Sequence, residues 1–214
     1  MPILLTESNE AEAIKLFSNT YLALRISFFN EIDSFSNANG LNTSDIIKGV
    51  CYDWRIGDYY NTPSLAYGGR CLPKDTKQLQ TNFRDIPQSI VSAVVNANAT
   101  RITAVINQLL RAKQKIVGFY IPSTSDDLCF NEFMRLAAYN IKKINARCIA
   151  YIESDSLDFY GMEIMHDIKK FKVDSDLIIS AELFDELLDV RHKVLTEQSQ
   201  HLSVYPSPQK SGEC

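Results

Sequence analysis

The change in hydrophobic period at Lys113 restricts what this chain can fold into more than any other feature. Before it, apolar residues return at spacings of three and four. Ile14, Phe17, Tyr21, Leu24 and Phe28 mark one face of a helix expected from near Glu10 to about Asn37, with Thr6 or Ser8 as its cap. Ile90, Val91, Val94, Val95, Ala97, Ile102, Val105, Ile106 and Leu109 give a second long helix a broad apolar face, with Pro87 in its first turn and its end near Ala112. After Lys113 the apolar residues bunch into short runs. Segments 115–121, 147–152, 176–180 and 193–196 read as four strands, with an amphipathic helix over 130–144. Strands alternating with helices imply a parallel sheet with right-handed crossovers. The fold class is therefore α/β: an all-α segment over 1–112 with a long connecting helix, a doubly wound parallel-sheet domain over 113–200, and a flexible tail over 201–214.

Between the helices the chain changes character. A loop over 39–44 caps a short helix over 45–50, and from Cys51 to Pro73 no period is sustained while Gly, Pro, Asn and Tyr accumulate. Long irregular stretches inside compact domains are often functional. This one ends in Tyr67-Gly-Gly-Arg-Cys-Leu-Pro-Lys-Asp75. Gly68 and Gly69 permit positive φ and close approach to the main chain, and Pro73 stiffens the turn just past the thiol. Positive charge beside a cysteine favours the nucleophilic thiolate, and Arg70 and Lys74 flank Cys71. A small buried cysteine in a glycine turn fits the same short string. On the first helix Lys15 and Asn19 stand at i and i+4, one step off the apolar stripe, so two donors share one side. They can hold an oxyanion, or be a solvated lysine beside an amide. Trp54, Tyr59, Tyr60 and Tyr67 offer rings either for stacking on a ligand or for packing a core.

Composition removes several alternatives. The formal charge of −4 on 214 residues gives no reason to expect nucleic acid, and no apolar run approaches the ~20 residues that span a bilayer. Cys51, Cys71, Cys129, Cys148 and Cys214 are odd in number and contain no CxxC pair. That pattern argues for reduced thiols in a cytoplasmic protein, with neither a zinc site nor a disulfide framework. His166 reads as a surface or helix-packing histidine rather than a base.

The string Gly68-Gly-Arg-Cys-Leu-Pro-Lys-Asp75 resembles the catalytic loop of the UDP-glucose 6-dehydrogenase family, NAD-dependent enzymes that oxidise a nucleotide sugar at carbon 6 from alcohol to acid. Residues 12–31, carrying Lys15 and Asn19, are similar to that family's central helix. Arg55-Ile-Gly57 and Tyr60-Asn-Thr-Pro-Ser64 are similar to its substrate-contacting loop. The resemblance implies a central dimerisation domain followed by a Rossmann-like UDP-sugar-binding domain, and a homodimer joined through the central helices. It implies Cys71 as nucleophile, Lys15 and Asn19 as oxyanion donors, and Asp75 as the group that positions or activates water. Arg55, Tyr60, Ser64, Tyr67 and Gly68 would contact the UDP-sugar, Arg55 from the neighbouring subunit, and Lys74 would meet NAD.

The chain also departs from the family pattern. Pro122-Ser-Thr-Ser-Asp-Asp127, after the first strand, lacks a glycine phosphate turn, and Asp126, Asp127 and Glu182 stand where basic or asparagine-arginine residues are usual. The N-terminal NAD-binding domain, with its Gly-x-Gly-x-x-Gly turn, has no counterpart. The expectation is a partial UDP-glucose 6-dehydrogenase, inactive alone, whose NAD domain comes from a parent chain or a separate polypeptide. The alternatives are a non-catalytic dimerising scaffold of the same fold and, within the family, a UDP-N-acetylmannosamine dehydrogenase.

Overall fold

The computed structural model describes residues 3–68, 71–111, 116–122, 139, 147–152, 160–180 and 183–196, without the side chains of 106 and 108–111. The expected helix over 130–144 (apart from Tyr139, which is helical), the tail, Asp126, Asp127 and Glu182 lie outside these residues.

Helix α1 (Ser8–Ala38) is 31 residues long, about 46 Å at 1.5 Å per residue. Neither Thr6 nor Ser8 caps it. Glu7 occupies the cap position with no side-chain hydrogen bond, and Glu10 supplies negative charge in the first turn. Helix α2 (Thr43–Cys51) starts on Asn42, whose side chain accepts from the amides of Ser44 and Asp45. Helix α3 (Leu72–Asn82) places Pro73 in its first turn, where its missing N–H costs nothing. Helix α4 (Ile90–Arg111) begins three residues after Pro87, because the Gln88 side chain accepts from the Ser92 amide and satisfies the opening turn instead.

Most of the apolar stripe of α1 lies off its packed side; from that stripe Leu24 packs inward, against the cluster of Ala23, Tyr67 and Val94. The buried residues of α1 include Leu16, Thr20, Ala23, Ser27, Phe29 and Asn30; Leu16 meets Leu79 and Val91, and Ala23 meets Tyr67 and Val94, from α3, α4 and the preceding loop. Small side chains let three helices approach closely along this seam. Ile14, Phe17, Tyr21 and Phe28 each stay about half exposed (49%, 51%, 50% and 51%).

Strands β1 (Ile116–Ile121), β2 (Arg147–Ile152), β3 (Glu163–Met165), β4 (Leu177–Ser180) and β5 (Val194–Thr196) form a wholly parallel sheet in the order β3-β2-β1-β4-β5. That order, reversing direction at β1, is the doubly wound arrangement. Successive side chains alternate between its faces. Val117, Phe119, Ala150, Ile152, Leu177, Ile179 and Leu195 share one cluster with Leu65, Ala66, Ile102 and Val105, so apolar packing runs from α4 onto the sheet. On the other face Tyr120, Ile149 and Ile178 meet Phe171 of helix α5 (Ile168–Asp174) and Leu187 of a 3₁₀ segment (Asp185–Lys193). Gly118 faces this second layer. A Cβ there would lie 2.2 Å from Ser175 Oγ and 2.8 Å from the Phe171 ring, so only glycine admits α5 at this depth.

Candidate active site

The pitch of α1 puts Lys15 and Asn19 on one side, and α3 lies against it. Asn19 Nδ2 donates to Asp75 Oδ2 at 2.5 Å. Lys15 Nζ sits 3.2 Å from the same oxygen and 3.4 Å from Oδ1. The Asp75 side chain is 4% exposed whereas Lys15 is 62% exposed, so the carboxylate is fixed in the helix seam and the ammonium reaches it from the open side. The sequence leaves the two donors either to an oxyanion or to solvent; the structure brings both to Asp75. Cys71 takes the N-cap position of α3, and the Asp75 amide donates to its carbonyl at 2.9 Å. The thiol is exposed and one helical turn from the carboxylate. An anion at that point lies at the positive end of α3. Lys74 is exposed on the same first turn.

The residues matching a substrate loop occupy a long bend beside this seam. Arg55 is exposed and paired with Asp53 at 2.5 Å; that hydrogen bond raises the Arg55 pKa and is the chief reason the Asp53 carboxyl falls below its usual range. Tyr60 is half exposed with φ of 48°, a conformation a non-glycine residue holds only under constraint. Ser64 is committed to the protein: its amide donates to Asn30 Oδ1 and its hydroxyl to the Ala66 carbonyl. The Tyr67 ring is buried, and its backbone amide and carbonyl both pair with the Asn98 side chain, so this ring offers no open stacking face. Gly68 follows, half-buried. Trp54 is the ring that does stand out, at 88% exposure. His166 is exposed.

Sequence reasoning passed over two buried arginines. Arg101 on α4 donates to Asp33 Oδ2 at 2.6 Å, to Ser34 Oγ at 2.7 Å, and to the carbonyls of Asn30 and Ser64. Arg25 on α1 donates to the carbonyls of Ile56, Gly57 and Tyr59. Their signal was available: charged residues on long helices flanked by apolar neighbours are rarely buried without a bonding role. A separate cavity of about 380 Å³ lies between α1, α2 and the loop, lined by Asp33, Lys48, Cys51, Tyr52, Asp58 and Asn61. Asp33 is 14 residues beyond Asn19 on α1, about 21 Å by helical rise, so this cavity is distinct from the Cys71 seam.

Comparison with known proteins fits this geometry. Residues 9–100, which hold Lys15, Asn19, Cys71 and Asp75, match the model described as the UDP-glucose/GDP-mannose dehydrogenase family, central domain. The UDP-glucose 6-dehydrogenase of Streptococcus pneumoniae is 41% identical over 201 residues, covering 92% of this chain and 50% of that protein. The chain belongs to the UDP-glucose/GDP-mannose dehydrogenase family. A second family member, the UDP-glucose 6-dehydrogenase of Campylobacter jejuni, is 40% identical over 196 residues, covering 89% of this chain and 50% of its own length. The chain spans about half the length of these curated relatives. The fold is shared with the structure of a UDP-glucose dehydrogenase from Pyrobaculum islandicum, with a TM-score of 0.66 at 24% identity, over 96% of this chain and 51% of that one.

Proposed function

We propose that this chain carries the substrate-binding and thiol machinery of a UDP-glucose 6-dehydrogenase. The observation that supports it is the convergence of Lys15 and Asn19 on Asp75, one turn from Cys71. In this reading the Cys71 sulfur adds to a carbon-6 aldehyde: a C–S bond forms, the carbonyl π pair moves to oxygen, and the alkoxide is met by the Lys15 ammonium and Asn19 amide before it takes a proton. Asp75 holds both donors at the seam and positions water. Arg55, Tyr60, Ser64, Tyr67 and Gly68 form the UDP-sugar loop, with Ser64 and Tyr67 acting through backbone placement.

The family's hydride acceptor is NAD, and the described residues do not fit it at the sheet. β1 leads into Pro122, which has no N–H to offer a phosphate, and the next glycine in sequence is Gly161. Lys74 is the residue proposed to meet NAD from a partner domain. Mixing the chain with NAD and UDP-glucose is expected to give no rise in NADH absorbance. Calorimetry with UDP-glucose is expected to give heat, and Lys15→Ala is expected to weaken the affinity at least tenfold, since it removes the ammonium that reaches Asp75 from the open side. No heat from the unaltered chain would leave the dimerising scaffold as the better reading. UDP-N-acetylmannosamine in the same cell tests the other sugar branch.

The domain organisation proposed is a helical dimerisation unit over 1–112 and a UDP-sugar-binding-type unit over 113–200, working in the cytoplasm. The half-exposed stripe Ile14, Tyr21 and Phe28, with Phe35 at 60%, supports a homodimer through α1. Isolated apolar residues on a surface are ordinary, but a row along about 32 Å of helix, from Ile14 to Phe35, is a contact face. Tyr21→Asp, which buries a charge only if the stripe pairs, is expected to convert a dimer to a monomer in light scattering; an unchanged mass would remove α1 from the interface.

A further inference from the structure

The Arg25 side chain sits inside the bend that the UDP-sugar reading assigns to substrate. It is 7% exposed, and among the described residues its hydrogen-bond acceptors are all main-chain carbonyls from that bend. Nε donates to Tyr59 O at 3.0 Å, Nη1 to Ile56 O at 3.0 Å, and Nη2 to Tyr59 O at 2.7 Å and Gly57 O at 3.3 Å. The Tyr59 ring covers the guanidinium at 4.0 Å, with Phe29 at 5.6 Å on α1 itself.

The bend is built to close around this cation. The amides of Ile56 and Gly57 both donate to Asp53 O, which turns the three carbonyls inward. Gly57 has φ of +71°, and a Cβ on it would lie 2.9 Å from the Tyr59 ring, so the ring is held between the glycine and the arginine. Tyr60 follows directly in its own positive-φ conformation. A planar fork reaches several carbonyls in fixed directions, whereas an ammonium is a single point and cannot span them.

We infer that Arg25 is a positioning residue: its guanidinium sets the backbone of residues 56–59, and thereby the directions in which Arg55 and Tyr60 are presented to ligand. This rests on the UDP-sugar reading of the bend. It assigns Arg25 no contact with substrate.

The test is amide hydrogen exchange by mass spectrometry on the full chain, with Arg25→Lys and Arg25→Gln, followed by UDP-glucose titration of the same samples. Peptides covering 54–62 are expected to exchange at least tenfold faster in both variants while those from α4 and β1 keep their rates. The UDP-glucose Kd is expected to rise at least tenfold. Faster exchange throughout the chain, or no change in 54–62, overturns the inference, as does a loosened bend with unaltered Kd. Should the Arg25 variants fail to fold, Tyr59→Leu decides the matter from the other side. It removes the ring over the guanidinium without straining the backbone, and faster exchange confined to 54–62 supports the inference whereas an unchanged bend overturns it. Absence of UDP-glucose heat from the unaltered chain instead overturns the substrate reading, and exchange in 54–62 then decides the positioning role by itself.

Discussion

Arg101→Met is expected to cost about 3–5 kcal/mol of unfolding free energy, the range for breaking a buried ion pair by removing one partner. Arg101 and Asp33 are 9% and 11% exposed, and their pairing at 2.6 Å joins α4 to the C-terminal part of α1. Methionine fills much of the same volume, so the loss is electrostatic rather than a cavity. Asp33 would keep hydrogen bonds from Asn37 and Thr43 but no countercharge among the described residues, and the carbonyls of Asn30 and Ser64 would each lose a donor. Urea unfolding followed by circular dichroism measures the cost through the midpoint at constant slope. Pairing the change with Asp33→Leu should recover most of the loss, because the uncompensated charge then disappears as well. A single variant within about 1 kcal/mol of the unaltered chain would mean that the network contributes little.

Four of the five strands were legible because each is a short apolar run, and the β2 bounds agree with the sequence expectation. Strand β3 was missed because Glu163-Ile-Met165 is three residues at a sheet edge, too short to show alternation. Helix α5 was readable in principle: Asp167 caps it by accepting from the amides of Lys169 and Lys170, but seven residues carry too little period to announce themselves. The inward side of α1 is a different case. Periodicity located the apolar stripe correctly, yet an apolar stripe can face a second molecule as well as a core. What fixed the inward side was the small and polar row Thr20, Ala23, Ser27 and Asn30, which close helix packing demands and a search for hydrophobic residues passes over. For the candidate site, i and i+4 spacing correctly put Lys15 beside Asn19. The meeting with Asp75, 56 residues beyond Asn19, depends on how α3 docks, which no local pattern encodes.

Phe171→Ala is expected to destabilise by about 3–5 kcal/mol, the range for emptying a buried aromatic site. The ring is fully buried in the second layer, with centroids 5.7 Å from Tyr151 and 6.4 Å from Tyr120. It also occupies the space above Gly118. That geometry makes the two positions interdependent. Gly118→Val alone should cost about 1–3 kcal/mol or more, because its Cβ meets the ring and Ser175 Oγ below contact distance. In the double variant the valine enters volume the ring has left, so the combined loss should fall short of the sum by about 1 kcal/mol. Recovery stays partial, since Ser175 Oγ is held by its bond to the Phe171 carbonyl, a main-chain atom that alanine retains. Chemical unfolding of the four proteins in the cycle measures this directly. Strict additivity would mean that the cost of the valine comes from Ser175 Oγ rather than from the ring, or that α5 settles onto β1 and closes the space when the ring is removed.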